Sequence, residues 1–148
     1  MSLIFRTVDE QNPVDLEQFN VLMDNLTNRA YDQSLLQTRI AEANGNPEKY
    51  LLVAEDENTH TLCGSVLGIC FGDFCEGCDA VMVIENVVTH PDYRSKGVAS
   101  AMLSQIEDWG REKRAVYAIL CSANHRLEAH KLSEKVGYSN VKGYKKYL

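Results

Sequence analysis

This sequence has no apolar run that approaches the roughly 20 residues a helix needs to cross a membrane. Its first residues, MSLIFRTVDE, reach Arg6 and Asp9 too early for the apolar segment of a signal peptide. Positive charge is not in excess, because 15 Lys and Arg residues face 21 Asp and Glu residues. These absences argue against membrane and nucleic-acid partners and predict a cytoplasmic protein. The excess of acidic residues mildly favours a cationic substrate.

A complete set of cysteine ligands for zinc is also missing. The five cysteines are an odd number, which predicts reduced thiols in a chain without a signal peptide. Cys75 and Cys78 form one C-x-x-C pair, but no second pair follows and no nearby His completes a tetrahedral set. We therefore expect no metal, with a metal or redox role for this pair as the minor alternative.

Apolar periodicity divides the 148 residues into alternating elements of one domain. It predicts strands over residues 2–8, 49–55, 61–71, 80–90 and 115–123, and a last strand over 139–148. Helices are predicted over residues 13–26, 33–43, 95–113 and 125–138. Helices that separate strands in this order predict a mixed sheet in an α/β domain.

Two strands contain residues that depart from the apolar pattern. Gly64 and Gly68 lie inside one strand and indicate bends or a close approach of another backbone. Glu85 and Asn86 interrupt AVMVIENVVTH, whose apolar residues fill both faces as in a central strand. Polar groups in a buried strand are costly, so we expect both to be partnered or used.

The stretch THPDYRSKGVASAM, residues 89–102, joins that central strand to the next helix. Arg94 and Lys96 add positive charge, Gly97 leaves the backbone uncovered, and the first N–H groups of a helix have no partners within it. Together they predict an anion site that suits a diphosphate, with a helix start and solvated cations as the alternative. The dinucleotide motif G-x-G-x-x-G and the triphosphate motif G-x-x-x-x-G-K-[ST] are both absent.

Two segments resemble the GNAT superfamily of N-acetyltransferases. In VIENVVTHPDYRSKGVASAML, the signature R/Q-x-x-G-x-G/A is matched by Arg94, Gly97 and Ala99. SANHRLEAHKLSEKVGY resembles the second hallmark, an Asn after the fifth strand and a helix that ends in E-K-x-G-[FY]. The resemblance covers residues 49–148. It implies an α+β fold with a mixed, mostly antiparallel central sheet, about four flanking helices and a splayed parallel strand pair that holds the cofactor.

The resemblance also implies acetyl-CoA as the acyl donor and a primary amine as the acceptor. Val87 and Val88 would pair with the pantetheine arm, and Asn124 would touch that arm from the far side of the slot. The backbone of seven consecutive residues would hold the pyrophosphate: Arg94, Ser95, Lys96, Gly97, Val98, Ala99 and Ser100.

Catalysis requires a base, because an amine at neutral pH is mostly an ammonium ion. Glu85, beside the expected thioester, is the candidate base, directly or through water. Its alternatives are a carboxylate that binds the cationic substrate and a buried partner of an arginine. Ser133 stands where the family frequently has a tyrosine that donates a hydrogen bond to the leaving thiolate. Tyr138 and Tyr144 are possible substitutes, although packed strand aromatics are the simpler interpretation.

These considerations predict an enzyme that acetylates a small amine, such as an amino sugar or a polyamine-like compound. A protein or peptide N-acetyltransferase is one alternative. A catalytically weak acyl-CoA sensor with the same fold is another, favoured by Ser133. A homodimer is left open.

Overall fold

The computed structural model describes residues 1–74, 76–121 and 126–148. Its strands are β1 Leu3–Thr7, β2 Lys49–Asp56, β3 Thr61–Gly72, β4 Ala80–Thr89 and β5 Ala115–Leu120. Its helices are α1 Pro13–Thr27, α2 Gln33–Asn44, α3 Val98–Glu112 and α4 Leu127–Lys135. The strands form one sheet in chain order, antiparallel throughout except for the parallel pair β4 and β5. This confirms the predicted mixed sheet with four helices.

Local signals in the sequence explain where two helices begin and end. Asn12 precedes α1, and its side-chain oxygen accepts a hydrogen bond from the Val14 N–H at 3.0 Å. Gly137 follows α4 with a φ of 99°, the left-handed conformation that terminates a helix. No helix in the described ranges is both long and apolar enough to cross a membrane.

Two apolar layers pack on opposite faces of the sheet. One layer joins α1 and α2 to the sheet through Leu22, Ile40 and Val53, among others. The other joins α3 to the sheet through Met102, Ile106 and Ile84, among others. Each face of the central strands is therefore covered by helices, which is why these strands are apolar on both sides.

Glycines in β3 let α3 approach the sheet closely. A Cβ built on Gly64 would lie 2.7 Å from Met102 Cε and 2.8 Å from the Val88 carbonyl oxygen. One built on Gly68 would lie 2.8 Å from Ile106 Cγ1. The close approach predicted from the sequence is therefore confirmed, and it fixes the position of α3 over the centre of the sheet.

Replacing Gly64 by alanine should destabilise the fold by about 1–3 kcal/mol, because the methyl group would overlap a backbone oxygen that cannot easily move. Gly72→Ala is the matched control on the same strand, since a Cβ there meets nothing within 4 Å. Urea unfolding of both variants measures the difference. Equal midpoints for Gly64→Ala and the wild type would contradict the packing described here.

One predicted strand and the predicted start of one helix are wrong. Residues 139–148 form no strand, and Tyr144 and Tyr147 are 86% and 84% exposed. Alternating tyrosine and lysine favours a strand only where a sheet edge pairs with it and one face is buried. Tyr144 is thus neither packed nor part of a strand. The helix predicted from Ser95 begins instead at Val98, because Ser95 and Gly97 have φ angles of 61° and 82°.

Candidate active site

A β-bulge interrupts β4 near its carboxyl end. Ser65 pairs with Val88 and Leu67 pairs with Glu85, so two intervening residues of β4 lie opposite Val66 alone. One of the two is Asn86, whose φ of 56° is left-handed. An extra residue of this kind bends a strand and disrupts its ladder.

The bulge also exchanges the faces of β4. Before it, Met82 and Ile84 pack in the α3 layer. After it, Val87 packs against the α3 layer and Val88 is buried in the α1–α2 layer. Since strand residues alternate between faces, one inserted residue reverses the alternation.

Pairing between the parallel strands ends at the same point. The last pair between them is Ile84 with Leu120, while β4 continues for five further residues to Thr89. Beyond Ile84, the backbone of β4 therefore has no partner on its β5 side within the described residues. We call this unpaired edge of β4 beyond Ile84 the slot, because the resemblance implies a cofactor slot at this place.

Glu85 and Asn86 lie at the entrance to this slot and are both exposed. The sequence placed both inside a buried strand, where we expected them to be partnered or used; the structure exposes them, because pairing with β5 ends at Leu120. Glu85 pairs with Leu67, which packs against the α1–α2 layer, so the carboxylate lies on that face of the sheet. Neither side chain makes a hydrogen bond or an ion pair within the described part of the chain.

The segment after β4, residues 90–97, is anchored to the sheet at two points. The His90 N–H donates to the Cys63 carbonyl oxygen at 2.7 Å. The Tyr93 hydroxyl donates to Asp56 Oδ2 at 3.0 Å, and its oxygen lies 3.2 Å from the Thr59 hydroxyl. The pKa of Asp56 is lowered, chiefly by the Asn58 N–H and further by Tyr93. A carboxylate that stays ionised keeps this anchor in place.

The same segment presents open backbone at the start of α3. The first hydrogen bond of the helix runs from the Ala101 N–H to the Gly97 carbonyl oxygen at 3.0 Å, so the N–H groups of residues 98–100 precede the ladder. A Cβ on Gly97 would meet nothing within 4 Å. Arg94 and Lys96 are exposed on either side of the left-handed Ser95, and neither forms an ion pair with described residues.

Lys96 lies over the Tyr93 ring, with its Nζ 5.3 Å from the ring centroid. A cavity of about 430 Å³ borders this pair and is lined by Asp56, Thr61, His90 and Asp92 as well. It lies beside the β2–β3 turn and does not include Glu85. We therefore place the candidate site at the slot and not in this cavity.

The family model described as acetyltransferase (GNAT) family matches residues 16–138. The chain belongs to this family. Family membership makes it an acetyl-CoA-dependent N-acetyltransferase, as the sequence predicted. A search of curated proteins gives no match.

Solved structures with this fold include three acetyltransferases of similar length. An acetyltransferase from Trypanosoma brucei is 24% identical, with a TM-score of 0.82 and 99% of each chain covered. Glucosamine-6-phosphate N-acetyltransferase from Arabidopsis thaliana is 19% identical, with a TM-score of 0.86 and 99% of each chain covered. An aminoglycoside N-acetyltransferase in complex with CoA is 17% identical, with a TM-score of 0.81, covering 99% of this chain and 94% of that chain. At these identities the likeness establishes the fold.

The loop before α3 fits the diphosphate of the GNAT co-substrate. Its N–H groups precede the helical ladder, the space over Gly97 is open, and two cations flank it. Of the seven residues predicted to hold the diphosphate, Arg94 to Gly97 are exposed, Ala99 and Ser100 are half-buried, and Val98 is buried with only its backbone available. The side chain of Val88 is likewise buried, so any contact there would come from its main chain.

Neither Ser133 in α4 nor Tyr138 after it offers a free hydroxyl group to donate a hydrogen bond to the leaving thiolate. The Ser133 hydroxyl donates to the Ala129 carbonyl oxygen at 2.8 Å, one turn earlier in the helix. Tyr138 is half-buried in the α3 layer, and its hydroxyl donates to Glu107 Oε1 at 3.2 Å. Burial, together with the neighbouring Glu107, raises the pKa of Tyr138. Both hydroxyl groups are therefore engaged elsewhere.

Asn124 and Cys75 lie outside the described residues. Cys78 is exposed and forms no disulfide with a described cysteine, and its thiol donates a weak hydrogen bond to the Phe74 carbonyl oxygen at 3.8 Å. Within the described ranges, no group of three or more His, Cys, Asp or Glu residues could hold a metal ion.

Sequence reasoning missed two features of the site. The first is the left-handed Asn86, for which the signal was an asparagine, a residue that tolerates this conformation, at the break in an apolar strand. The second is the anchor from Tyr93 to Asp56, which joins residues 37 positions apart in the chain and had no signal in the sequence.

Proposed function

We propose that this enzyme transfers the acetyl group of acetyl-CoA to a primary amine of a small molecule, such as an amino sugar or a polyamine-like compound. The observation that carries the proposal is the exposed Glu85 carboxylate, which makes no hydrogen bond or ion pair with the described residues and lies where the β4–β5 pairing ends. It lies on the strand that leads directly into the anion-binding start of α3.

In this proposal the main chain of residues 94–100 binds the diphosphate, and β4 beyond its bulge aligns the pantetheine arm. Acetyl-CoA, when bound, supplies a thioester whose carbonyl carbon is the electrophile. Glu85 attracts the ammonium form of the acceptor and takes up its proton, directly or through one water, so that the neutral nitrogen can attack. As the C–N bond forms, the C–S bond would break, and the departing thiolate would take up the second proton that the nitrogen loses. Main-chain N–H groups at Val87 or Val88 are candidates to stabilise negative charge on the carbonyl oxygen.

The test is an acceptor screen that measures release of free CoA thiol from acetyl-CoA. We expect turnover with one or more small amines and little with peptides that carry a free N-terminus or lysine. Turnover with peptides alone would replace this proposal by a peptide N-acetyltransferase.

A catalytically weak acyl-CoA sensor is the second candidate, favoured by one observation. The Ser133 hydroxyl is bonded to a carbonyl group of its own helix, so no free hydroxyl stands ready for the leaving thiolate at that position. The thiolate of a thiol with a pKa of about 8.5 leaves reasonably well without such help, which is why we rank the enzyme first. Tight binding of CoA without thiol release over the whole panel would favour the sensor.

A further inference from the structure

The loop that leads into α3 holds a backbone conformation that its own side chains do not explain. Ser95 has a φ of 61°, which is strained for a residue with a Cβ, and Gly97 follows at 82°. Such conformations persist only where the surrounding structure fixes them. The side chains of Arg94, Ser95 and Lys96 make no hydrogen bond or ion pair with described residues. The loop is therefore held by a residue outside this run.

Tyr93 is the residue that ties the loop to the sheet. Its hydroxyl group donates to Asp56 Oδ2 at 3.0 Å, and the same oxygen lies 3.2 Å from the Thr59 hydroxyl. Asp56 is 7% exposed, and its other carboxylate oxygen accepts the Asn58 N–H at 3.0 Å, so this carboxylate is itself held in place. A hydrogen bond to a charged group is stronger than one between neutral groups. Among the described side chains of residues 90–97, only that of Tyr93 reaches another element by a hydrogen bond.

The ring of Tyr93 also fixes Lys96. The ring is half-buried and packs against the α3 layer, and Lys96 Nζ lies 5.3 Å from its centroid. A ring face attracts a cation without neutralising its charge. Lys96 forms no ion pair with described residues, although Asp56 and Asp92 line the same cavity. The ring therefore keeps the ammonium group beside the loop while its charge stays available to an anion.

We propose that Tyr93 is a positioning residue for the co-substrate: held at Asp56, it fixes Lys96 and the left-handed Ser95 where they receive the diphosphate of CoA. In this proposal Tyr93 touches neither the thioester nor the acceptor, so it acts through the loop alone. The inference rests on the proposed function, which places the diphosphate at residues 94–100.

Tyr93→Phe removes the hydroxyl group and keeps the ring and its packing. We expect the Kd of CoA, measured by calorimetry, to rise about 5- to 20-fold, within the range of a lost hydrogen bond to a charged group. The KM of acetyl-CoA should rise by a similar factor, while kcat changes by less than about twofold. Acetyl-pantetheine, which has no diphosphate, should bind equally to the variant and the wild type.

Tyr50→Phe is the matched control. Tyr50 is half-buried against the α3 layer at the other end of β2, and its hydroxyl makes no hydrogen bond with described residues. The control should leave both the Kd of CoA and kcat unchanged. Thr59→Val, which removes only the second contact of the Tyr93 hydroxyl, is a milder variant for the same titrations, with an expected loss of about 2- to 3-fold.

A double-mutant cycle tests whether Tyr93 acts through Asp56. Asp56→Asn should weaken CoA binding as well, because the charged partner of the hydroxyl is lost. The double variant with Tyr93→Phe should lose little more than the larger of the two single losses, because both changes remove the same bond. Additive losses would overturn the inference, since the two groups would then act independently.

Two other results would overturn the inference. One is a CoA affinity in Tyr93→Phe equal to that of the wild type. The other is an equal loss for CoA and acetyl-pantetheine, which indicates a general change of structure. A wild type that binds CoA no more tightly than acetyl-pantetheine would remove the diphosphate site, and this inference with it. If no amine is acetylated while Tyr93→Phe still weakens CoA binding alone, the proposed function fails and this inference stands.

Discussion

Replacing Glu85 by glutamine should lower kcat by about 10²- to 10⁴-fold, the usual contribution of a positioned base. Glutamine keeps the size and the hydrogen-bonding geometry but cannot accept the proton of the ammonium group. Because Glu85 is exposed and makes no hydrogen bond or ion pair with described residues, the change should leave the fold intact. Steady-state kinetics with the best amine of the acceptor screen, and calorimetry with CoA, measure the two effects separately.

The kinetic constants distinguish the two roles proposed for Glu85. Loss of a base lowers kcat, whereas loss of a group that only attracts the cation raises KM with little change in kcat. Glu112→Gln is the matched control, because this exposed carboxylate ends α3, about 22 Å from the start of the helix. Equal losses of turnover and of CoA affinity in Glu85→Gln would remove Glu85 as the base.

Replacing Gly97 by alanine should weaken CoA binding by about tenfold or more. The φ of 82° costs a residue with a Cβ about 1–2 kcal/mol, and about 1.4 kcal/mol corresponds to a factor of ten in affinity. The methyl group would also project into the open space over the loop, where we expect the diphosphate to lie. Calorimetric titration with CoA measures the loss.

One further variant at residue 97 distinguishes the effect of backbone conformation from that of space over the loop, and a variant at Arg94 tests charge. Asn tolerates the left-handed conformation, so Gly97→Asn keeps the loop while adding a side chain. If close approach to the main chain matters, Gly97→Asn should lose affinity as well. Arg94→Glu should weaken binding in addition and make it less sensitive to salt, because an attractive charge becomes a repulsive one.

The loss of affinity in the Gly97 and Arg94 variants should also depend on whether the ligand carries a diphosphate. Acetyl-pantetheine has the thioester and the amide arm but no diphosphate, so its weak binding should be nearly equal in all these variants. A similar loss for acetyl-pantetheine and CoA would place the diphosphate elsewhere. Gly72→Ala, with open space at its Cβ and no positive φ, controls for the substitution itself.

Most of the fold could be predicted from the sequence because its signals are local. The cap at Asn12, the stop at Gly137 and the alternation of apolar residues each depend on neighbours within a few positions. The prediction of a last strand over residues 139–148 failed because a strand forms only where a sheet edge elsewhere in the chain pairs with it. The prediction that α3 begins at Ser95 failed because the spacing of apolar residues does not reveal which residues adopt a positive φ.

Individual residues of the candidate site could be predicted from the sequence, but their arrangement in space could not. The Arg94, Gly97 and Ala99 pattern indicated an anion site at the start of a helix, and Glu85 was recognised as a polar residue in an apolar strand. Its exposure could not be predicted, because that depends on where β5 ends relative to β4.

The sequence by itself determined the family, the mixed sheet and the identity of the loop that precedes α3, since each follows from residue types at fixed spacing. The resemblance implied a splayed strand pair, but only the tertiary structure located the inserted residue at Asn86, which reverses the faces of β4, and the end of β4–β5 pairing beside Glu85. The physical reason is that register and strand separation are properties of paired chains. The residues of one strand do not determine where the strand that pairs with it ends.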